Sequence, residues 1–431
     1  RLERSMKILE TDRPGRDRLI LAVFAVVLLG VFWLSLPARF QANQNYDYTC
    51  CYETSARNWI GGNGFIYSNG HFAAAYPPGY PVLLAGVFIV GKVIGDGVAM
   101  ALFIALCEVA SVLAMYTIGR FLFGAWAGRI AALLLITYPF FLWMLKQPNS
   151  EGPFLPFVLW GFYGYVRLVA PGPTNNKPWK WAVLSGVCWA LAALVRPIGV
   201  LGGFVTAASL ILFGRRQPIM QRTLLAALLV AVNFATILPW EVIAKDHLGR
   251  WILVGDNSGT GYIDGVTFGL HGVALHPAPV PSDVEELMAR AESRKDQIRS
   301  TGGFVNFLKE EAQTHPTAFI KLMYLKTTRV WYGTLEGYFE GINKLIELVY
   351  IITACAGLWW MGRRLRMSAV AWGIAAVVCY FWFMAVLVNP ILRYMVPATA
   401  LMMLAVAVTV IVIVKKLTGL DLTASGLLKS D

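Results

Sequence analysis

Charged side chains are scarce in this chain. Asp, Glu, Lys and Arg make up 14% of its 431 residues, against 57% hydrophobic. That balance excludes a water-soluble fold of this length, because too little polar surface is left to coat it. Cysteine is scarce as well, with six in all. Cys107, Cys188, Cys355 and Cys379 lie inside apolar runs and read as small packing residues. Cys50 and Cys51 are adjacent and are not expected to bridge, since sequence neighbours do so only with strain. No CxxC or Cys/His metal spacing occurs. There is no repeat of solenoid period and no low-complexity tract. The glycine-rich run from Gly255 to Gly261 lacks the Gly-Lys-Ser/Thr of a nucleotide-binding P-loop. It reads as a turn, or as one whose amides approach an anion. The basic start is not followed by a small-residue cleavage site, so the first apolar run is expected to be a retained helix.

What the chain does hold is a series of apolar runs of spanning length, roughly 20 residues each. They fall at 19–36, 98–121, 130–145, 153–169, 181–195, 200–213, 224–240, 345–361, 369–387 and 394–414. The run 82–94 is short and carries Lys92, so it is expected to be interfacial or re-entrant. A true span there would invert every later loop. Net charge is +12, from 37 Lys+Arg against 25 Asp+Glu. The basic residues cluster in short loops, which is the pattern of cytoplasmic loops and not of a nucleic-acid surface. Arg1, Arg4, Lys7, Arg13, Arg16 and Arg18 precede the first run. Arg120 and Arg129, Lys177 and Lys180, Arg215, Arg216 and Arg222, Arg363, Arg364 and Arg366, and Lys415 and Lys416 then all fall on one side. The expectation is an all-α polytopic membrane protein of about ten transmembrane helices plus extracytoplasmic juxtamembrane helices.

The domain organisation follows. Residues 1–18 form a cytoplasmic segment, and 19–240 a transmembrane module whose first external loop is 37–97. Residues 241–343 form a long extracytoplasmic segment, 344–416 the C-terminal transmembrane helices and 417–431 a cytoplasmic tail. Within the long segment, 282–300 reads as a helix capped by Ser282 in Ser-Asp-Val-Glu-Glu.

Ionisable groups beside a bilayer are costly and therefore informative. Asp47 stands in the first external loop without a cation at helical spacing, which favours a catalytic carboxylate over a helix cap. Glu53 has Arg57 at i+4, so a surface ion pair and a share in catalysis are both open. Glu151, at a helix edge, either complements the helix dipole or binds an acceptor or a cation. Outer-face cations include Lys92, Lys146, Lys245, Arg250, Lys321, Lys326 and Arg329, with Lys92 and Lys321 reading as snorkelling to headgroups. Arg196 and Arg393 each adjoin a proline at a helix end, where a guanidinium fork suits phosphate. Trp240, Trp251, Tyr262, Trp331 and Tyr332 could stack on a sugar face, as interfacial aromatics also do on lipid.

The order of short motifs resembles a known family. An acidic-aromatic stretch ending Ala56-Arg57-Asn58, then Gly-x-Gly, then Tyr76-Pro77-Pro78-Gly79-Tyr80-Pro81, is similar to the first external loop of the GT-C glycosyltransferases. The likeness is to the dolichyl-phosphate-mannose protein mannosyltransferase-like group, family 39 and the related aminoarabinose transferases. Asn149-Ser150-Glu151, Leu194-Val195-Arg196-Pro197, Pro239-Trp240, Gly249-Arg250-Trp251 and Arg393-Tyr394-x-x-Pro397 extend it over about 19–414. Three features depart from the pattern. The Asp47-to-Arg57 spacing is one residue longer and Tyr48 replaces the second acid; Tyr76 stands where the aminoarabinose enzymes carry Lys.

The resemblance implies the GT-C fold and an inverting transfer of sugar from a polyprenyl-phosphate carrier to a hydroxyl of an extracytoplasmic lipid, glycan or protein. It places the catalytic acid on Asp47, with Glu53 as substitute. Glu151, Tyr76, Arg57, Trp240 and Tyr262 would bind substrate, and Arg393, Arg196 and Lys245 the donor phosphate. A diphosphate donor fits less well, because the soluble domain that oligosaccharyltransferases carry is missing. No cofactor is required; a divalent metal stays open without a ligand set to hold it. The expected location is the inner (plasma) membrane, with both termini cytoplasmic. The competing class is a glycolipid transporter or flippase, for which the expected repeat symmetry and midplane charges are lacking.

Overall fold

The computed structural model describes residues 13–43, 45–170, 177–256, 258–267, 280–334, 337–365 and 367–419. Arg1, Arg4, Lys7, Asn257, Arg366 and 420–431 lie outside them. Among the described residues the regular structure is helical, and the β-structure is limited to two isolated bridges, Ile66 with Phe72 and Leu253 with Gly255.

The apolar runs become helices, which satisfy every backbone polar group internally where no water is available. Helix α1 is Pro14–Ser35, α2 Glu53–Ile60 and α3 Gly79–Ile94. Then come α4 Asp96–Phe123, α5 Ala125–Ile136 and α6 Pro139–Leu145. Helices α7 Glu151–Val169, α8 Trp179–Val195, α9 Gly202–Phe213 and α10 Ile219–Leu248 complete the first module. Outside it lie α11 Ser258–Thr267, α12 Ser282–Ser293, α13 Thr301–Thr314 and α14 Pro316–Arg329. Helices α15 Glu340–Arg363, α16 Ser368–Leu387 and α17 Val396–Thr418 end the chain. Six helical segments are long and apolar enough to cross a membrane, and the bent pair α5–α6 makes a seventh. Among the described residues, Gly79–Ile94, Trp179–Val195 and Pro197–Phe213 are shorter apolar helices, so the count of about ten spans is not reached by length and composition alone.

Three expectations need correction. The run 130–145 is not one straight helix, because α5 and α6 meet at 59°. Pro139 has no N–H to continue the ladder, and Tyr138 before it is extended. Ser282 does not cap α12: Pro281 takes the cap position and no side-chain bond forms, and the helix ends at Ser293. The glycine-rich run is only half a turn, since Ser258 already opens α11.

Apolar composition alone does not say which helix is central. The most apolar window of the segment ending in α17 is 89% buried, that of α1 only 17%. Helix α17 packs against α15, α16, α5, α4 and α7, while α1 turns Leu19, Val23, Val27 and Leu34 outward. Close approach comes from small residues, as is usual where lipid offers no hydrophobic drive. At Gly79 a Cβ would sit 2.6 Å from the Leu194 carbonyl oxygen, so the start of α3 lies backbone-on-backbone against the end of α8. An ion pair joins the other end of the module: Arg129 donates from Nε at 2.9 Å and Nη2 at 3.1 Å to Asp17, which also accepts from Tyr116.

Helices α11 to α14 share a second core of Val284, Leu287, Ala291, Phe304, Phe307 and Leu322. Arg290 grips Glu311 inside it through two bonds of 2.9 and 2.7 Å. This unit rests on the end of α16, where a Cβ on Gly265 would be 2.3 Å from the Leu387 carbonyl oxygen. It also reaches the turn beyond, through a 2.8 Å bond from Leu392 N–H to the Gly333 carbonyl.

Candidate functional site

Three proline- or glycine-marked helix ends converge to make the site. Asn149 accepts from the N–H groups of Glu151 at 3.1 Å and Gly152 at 3.3 Å, closing the first turn of α7. This holds Glu151 at the helix mouth, 5% exposed. Arg196 ends α8 in extended conformation ahead of Pro197, and Arg393 precedes Pro397 of α17 in a short 3-10 turn, Leu392–Met395.

The three side chains form one buried ion cluster. Arg393 donates from Nε to Oε1 of Glu151 and from Nη2 to Oε2 at 3.1 Å. Arg196 reaches Oε1 through Nη1, which also donates to Ser150 Oγ at 2.8 Å. The Arg196 guanidinium lies 5.3 Å from the centre of the Tyr394 ring. Two cations on one carboxylate leave an excess of positive charge, in a setting where charges interact strongly. Together with Phe154, Ile198 and Pro397, these residues line a small cleft.

Asp47 supplies the opposing charge. It stands close enough to interact electrostatically with Arg393 and Tyr394. Its Oδ1 accepts from the Tyr76 hydroxyl at 3.0 Å. Burial first, and then the charge of Asp47, push the Tyr76 phenol above its usual pKa, so it remains a donor. The first loop is tied to this place by Asn45, which donates to the Pro148 carbonyl at 3.0 Å, and by Lys146, which donates to the Phe40 carbonyl at 2.7 Å. Tyr52 packs on Tyr76 and Tyr80 with ring centres 4.9 and 5.0 Å apart.

The structure thus brings together Asp47, Tyr76, Glu151, Arg196 and Arg393. Glu53 and Arg57 form a separate group. Arg57 donates from Nε to Glu53 at 2.8 Å and from Nη2 to Asp96 at 2.7 Å, and its guanidinium covers the Phe88 ring at 3.9 Å. Asp96 had no sequence signal beyond its charge.

Three expected binders stand elsewhere. The Trp240 indole is buried between Phe72, stacked at 5.6 Å, and Phe65, and it donates to the Val254 carbonyl at 3.0 Å. It has no open face for a sugar. Tyr262 stacks on Phe304 at 4.6 Å and bonds to Thr301, so it belongs to the unit of α11 to α14. Lys245 is exposed and sits 4.6 Å over the Trp251 ring, outside the cleft lining. Two of the amides expected to approach an anion are engaged: Gly255 N–H bonds to the Leu253 carbonyl and Asp256 N–H to the Ala74 carbonyl. Among the described residues no group of three or more His, Cys, Asp or Glu stands together as a metal set.

The expectation for Cys50 and Cys51 is also overturned. They are joined by a disulfide, inside a five-residue π-helical stretch, Tyr48–Tyr52, that links Asp47 to α2. A π turn holds one more residue than an α turn, and so absorbs the extra residue between Asp47 and Arg57.

The sequence profile of the dolichyl-phosphate-mannose-protein mannosyltransferases matches residues 75–240. No curated protein sequence matches the chain. Among solved structures, the archaeal oligosaccharyltransferase AglB from Archaeoglobus fulgidus, in complex with an inhibitory peptide and a dolichol-phosphate, superposes with a TM-score of 0.53. Identity is 16%, over 93% of this chain and 50% of that one. The Archaeoglobus fulgidus oligosaccharyltransferase in complex with Zn and sulfate gives 0.55 at 12% identity, over 92% of this chain and 49% of that one. ArnT from Cupriavidus metallidurans, bound to undecaprenyl phosphate, gives 0.46 at 15% identity, over 90% and 76%. The chain therefore spans about half the length of the oligosaccharyltransferases it is similar to. Its fold is similar to that of these oligosaccharyltransferases, and its residues 75–240 match the dolichyl-phosphate-mannose-protein mannosyltransferase profile.

Proposed function

We propose that the protein is an inverting glycosyltransferase that moves a sugar from a polyprenyl-phosphate carrier to a hydroxyl of an extracytoplasmic lipid, glycan or protein. The observation that carries the reading is the meeting of Asp47 with the Glu151–Arg196–Arg393 cluster at a small cleft. A base and a pair of phosphate-suited forks stand side by side. AglB, similar in fold, was solved with a dolichol-phosphate, which supports a lipid-linked donor here.

In this reading Asp47 accepts the proton of the acceptor hydroxyl as its oxygen bonds to the anomeric carbon. The bond from that carbon to the phosphate oxygen breaks, the configuration inverts, and the polyprenyl phosphate leaves with the electron pair. Tyr76 holds Oδ1 of Asp47, which orients Oδ2 towards the acceptor. Glu151 engages Nε and Nη2 of Arg393 and Nη1 of Arg196, and Nη1 of Arg393 is the donor for a phosphate oxygen. Fixed charges of this kind lower the barrier because they need no reorganisation as the leaving group gains charge. The separation of Glu53 into an ion pair with Arg57 supports Asp47 as the base. The extracytoplasmic position of this face and the cytoplasmic position of both termini rest on the one-sided loop charges.

The protein in lipid nanodiscs, given a panel of radiolabelled polyprenyl-phosphate sugars and an envelope extract, should release label from the carrier into a stable glycoside. Movement of labelled carrier across a vesicle without new glycoside would overturn the reading in favour of a flippase.

A further inference from the structure

The disulfide between Cys50 and Cys51 has no part in the chemistry above, yet it occupies the connection between two charged groups of the outer surface. Tyr48–Tyr52 is π-helical, and the Glu53 N–H bonds to the Tyr48 carbonyl five residues back. Asp47 lies immediately before this stretch and Glu53 immediately after it. Tyr48 and Tyr52 are buried, at 7% and 4% exposure, whereas Cys50 and Cys51 are partly exposed. Cys50 Sγ lies 3.9 Å from the Asp47 carbonyl oxygen.

Residue spacing makes this stretch decisive for direction. An α turn advances about 100° per residue, so losing the extra residue of the π turn would rotate Asp47 by about that angle relative to α2. With the π turn in place, Asp47 meets Tyr76 while Arg57 meets both Glu53 and Asp96. A lone π turn is rare and occurs mostly as a single-turn bulge within α-helices, frequently at functional sites. The bond between adjacent cysteines closes a small ring of backbone and side-chain atoms and restricts the torsions at its centre.

We infer that the Cys50–Cys51 disulfide is a positioning device that holds the π turn, and through it aims the Asp47 carboxylate at Tyr76 and the cleft. The inference rests on the proposed transferase reading for its kinetic consequence, but not for its structural one. Disulfides persist on the oxidising, extracytoplasmic side of a membrane, which is where that reading puts the first loop. Reduction takes two electrons and two protons and leaves two thiols. With a water-soluble phosphine as reductant, the phosphine is oxidised to its oxide with an oxygen from water.

The test uses the full chain in nanodiscs, in a Cys355→Ser, Cys379→Ser background that removes the exposed thiols. The disulfide is followed by mass spectrometry as the phosphine is added and then removed under oxidant. Two quantities are read: amide exchange over residues 45–60, and kcat and KM for the polyprenyl-phosphate sugar that the unreduced protein transfers. Reduction should speed exchange at 45–53. It should also lower kcat by about 10²-fold, the scale of a misplacement of about 1 Å at a reacting group, with KM for the donor unchanged. Reoxidation should restore both, an outcome that a merely unfolded loop would not give. A Cys50→Ser, Cys51→Ser variant should show the reduced values and ignore the phosphine. Unchanged exchange in protein shown to be reduced would overturn the inference, as would unchanged kcat. If the oxidised protein transfers no sugar from any carrier, the transferase reading fails, and the exchange measurement still decides the role of the disulfide.

Discussion

Tyr76 donates its phenolic hydrogen to Oδ1 of Asp47 across 3.0 Å, joining two parts of the first loop that lie 29 residues apart. Because burial and the neighbouring carboxylate keep the phenol protonated, this contact fixes the rotamer of Asp47 at every physiological pH. Tyr76→Phe should retain the fold and lower kcat by about 10- to 100-fold, the equivalent of a hydrogen bond to a charged group worth about 1.5–3 kcal/mol. A steady-state comparison of the two proteins checks it.

Asp47→Asn should bind the donor lipid and transfer sugar about 10²–10⁴-fold more slowly, as loss of a general base does. Glu53→Gln should keep the parental rate, since Glu53 is engaged with Arg57 at the surface. Reversed outcomes for the two variants would move the base to Glu53.

Arg393→Lys should keep part of the activity, because one ammonium cannot reproduce the fork that holds both oxygens of Glu151. Arg393→Ala should lose most activity, and also stability, since breaking a buried pair costs about 3–5 kcal/mol. Rates and thermal midpoints together separate the two effects. Parental turnover by the alanine variant would shift the phosphate role to Arg196.

Lys326, in α14, is 2% exposed. Burial pushes its ammonium from an ordinary 10.5 down to about 7. The unfolded chain therefore holds a proton that the folded protein lacks between about pH 7 and pH 10.5. Unfolding takes up that proton, so stability should rise with pH across this window and be lowest below it. Lys326→Met should raise the melting temperature at pH 7 and flatten the rise. Melting followed in detergent from about pH 6 to about pH 10, which brackets most of that window, decides it.

Cysteine placed at Asp256 should react with a membrane-impermeant reagent from outside intact cells only, because the short basic loops all fall on the opposite side. Labelling from the cytoplasmic side would make 79–94 a true span and invert the later loops.

The helices were legible because a membrane demands long apolar runs: 98–121 was expected where Asp96–Phe123 forms, and 369–387 where Ser368–Leu387 forms. Their arrangement was not legible. Helices α1 and α17 are both apolar on all sides, so nothing in their periodicity says that one faces outward and the other is enclosed. The candidate site was half legible. Asp47, Arg196 and Arg393 carried signals as charges beside prolines or in a polar loop. Glu151 was legible as a charge at a helix edge, but its pairing with Arg393, 242 residues away, was not, because no spacing rule reaches that far. The aromatic expectations failed for a related reason. Trp240 and Tyr262 look alike in sequence whether their faces are open or covered, and Phe72 and Phe304 cover them.

The bare backbone at Gly79 bears on how such a site tolerates change. Tyr76 and Gly79 flank one rigid corner, Pro77-Pro78, and Gly79 lies flush against Leu194, two positions before Arg196. The phenol that steadies the carboxylate and the Arg196 guanidinium that holds Glu151 are thus spaced by main chain where Gly79 meets Leu194. The thickness of one absent methyl group is a working dimension of the cleft, and substitutions that never touch a charge can alter its gauge.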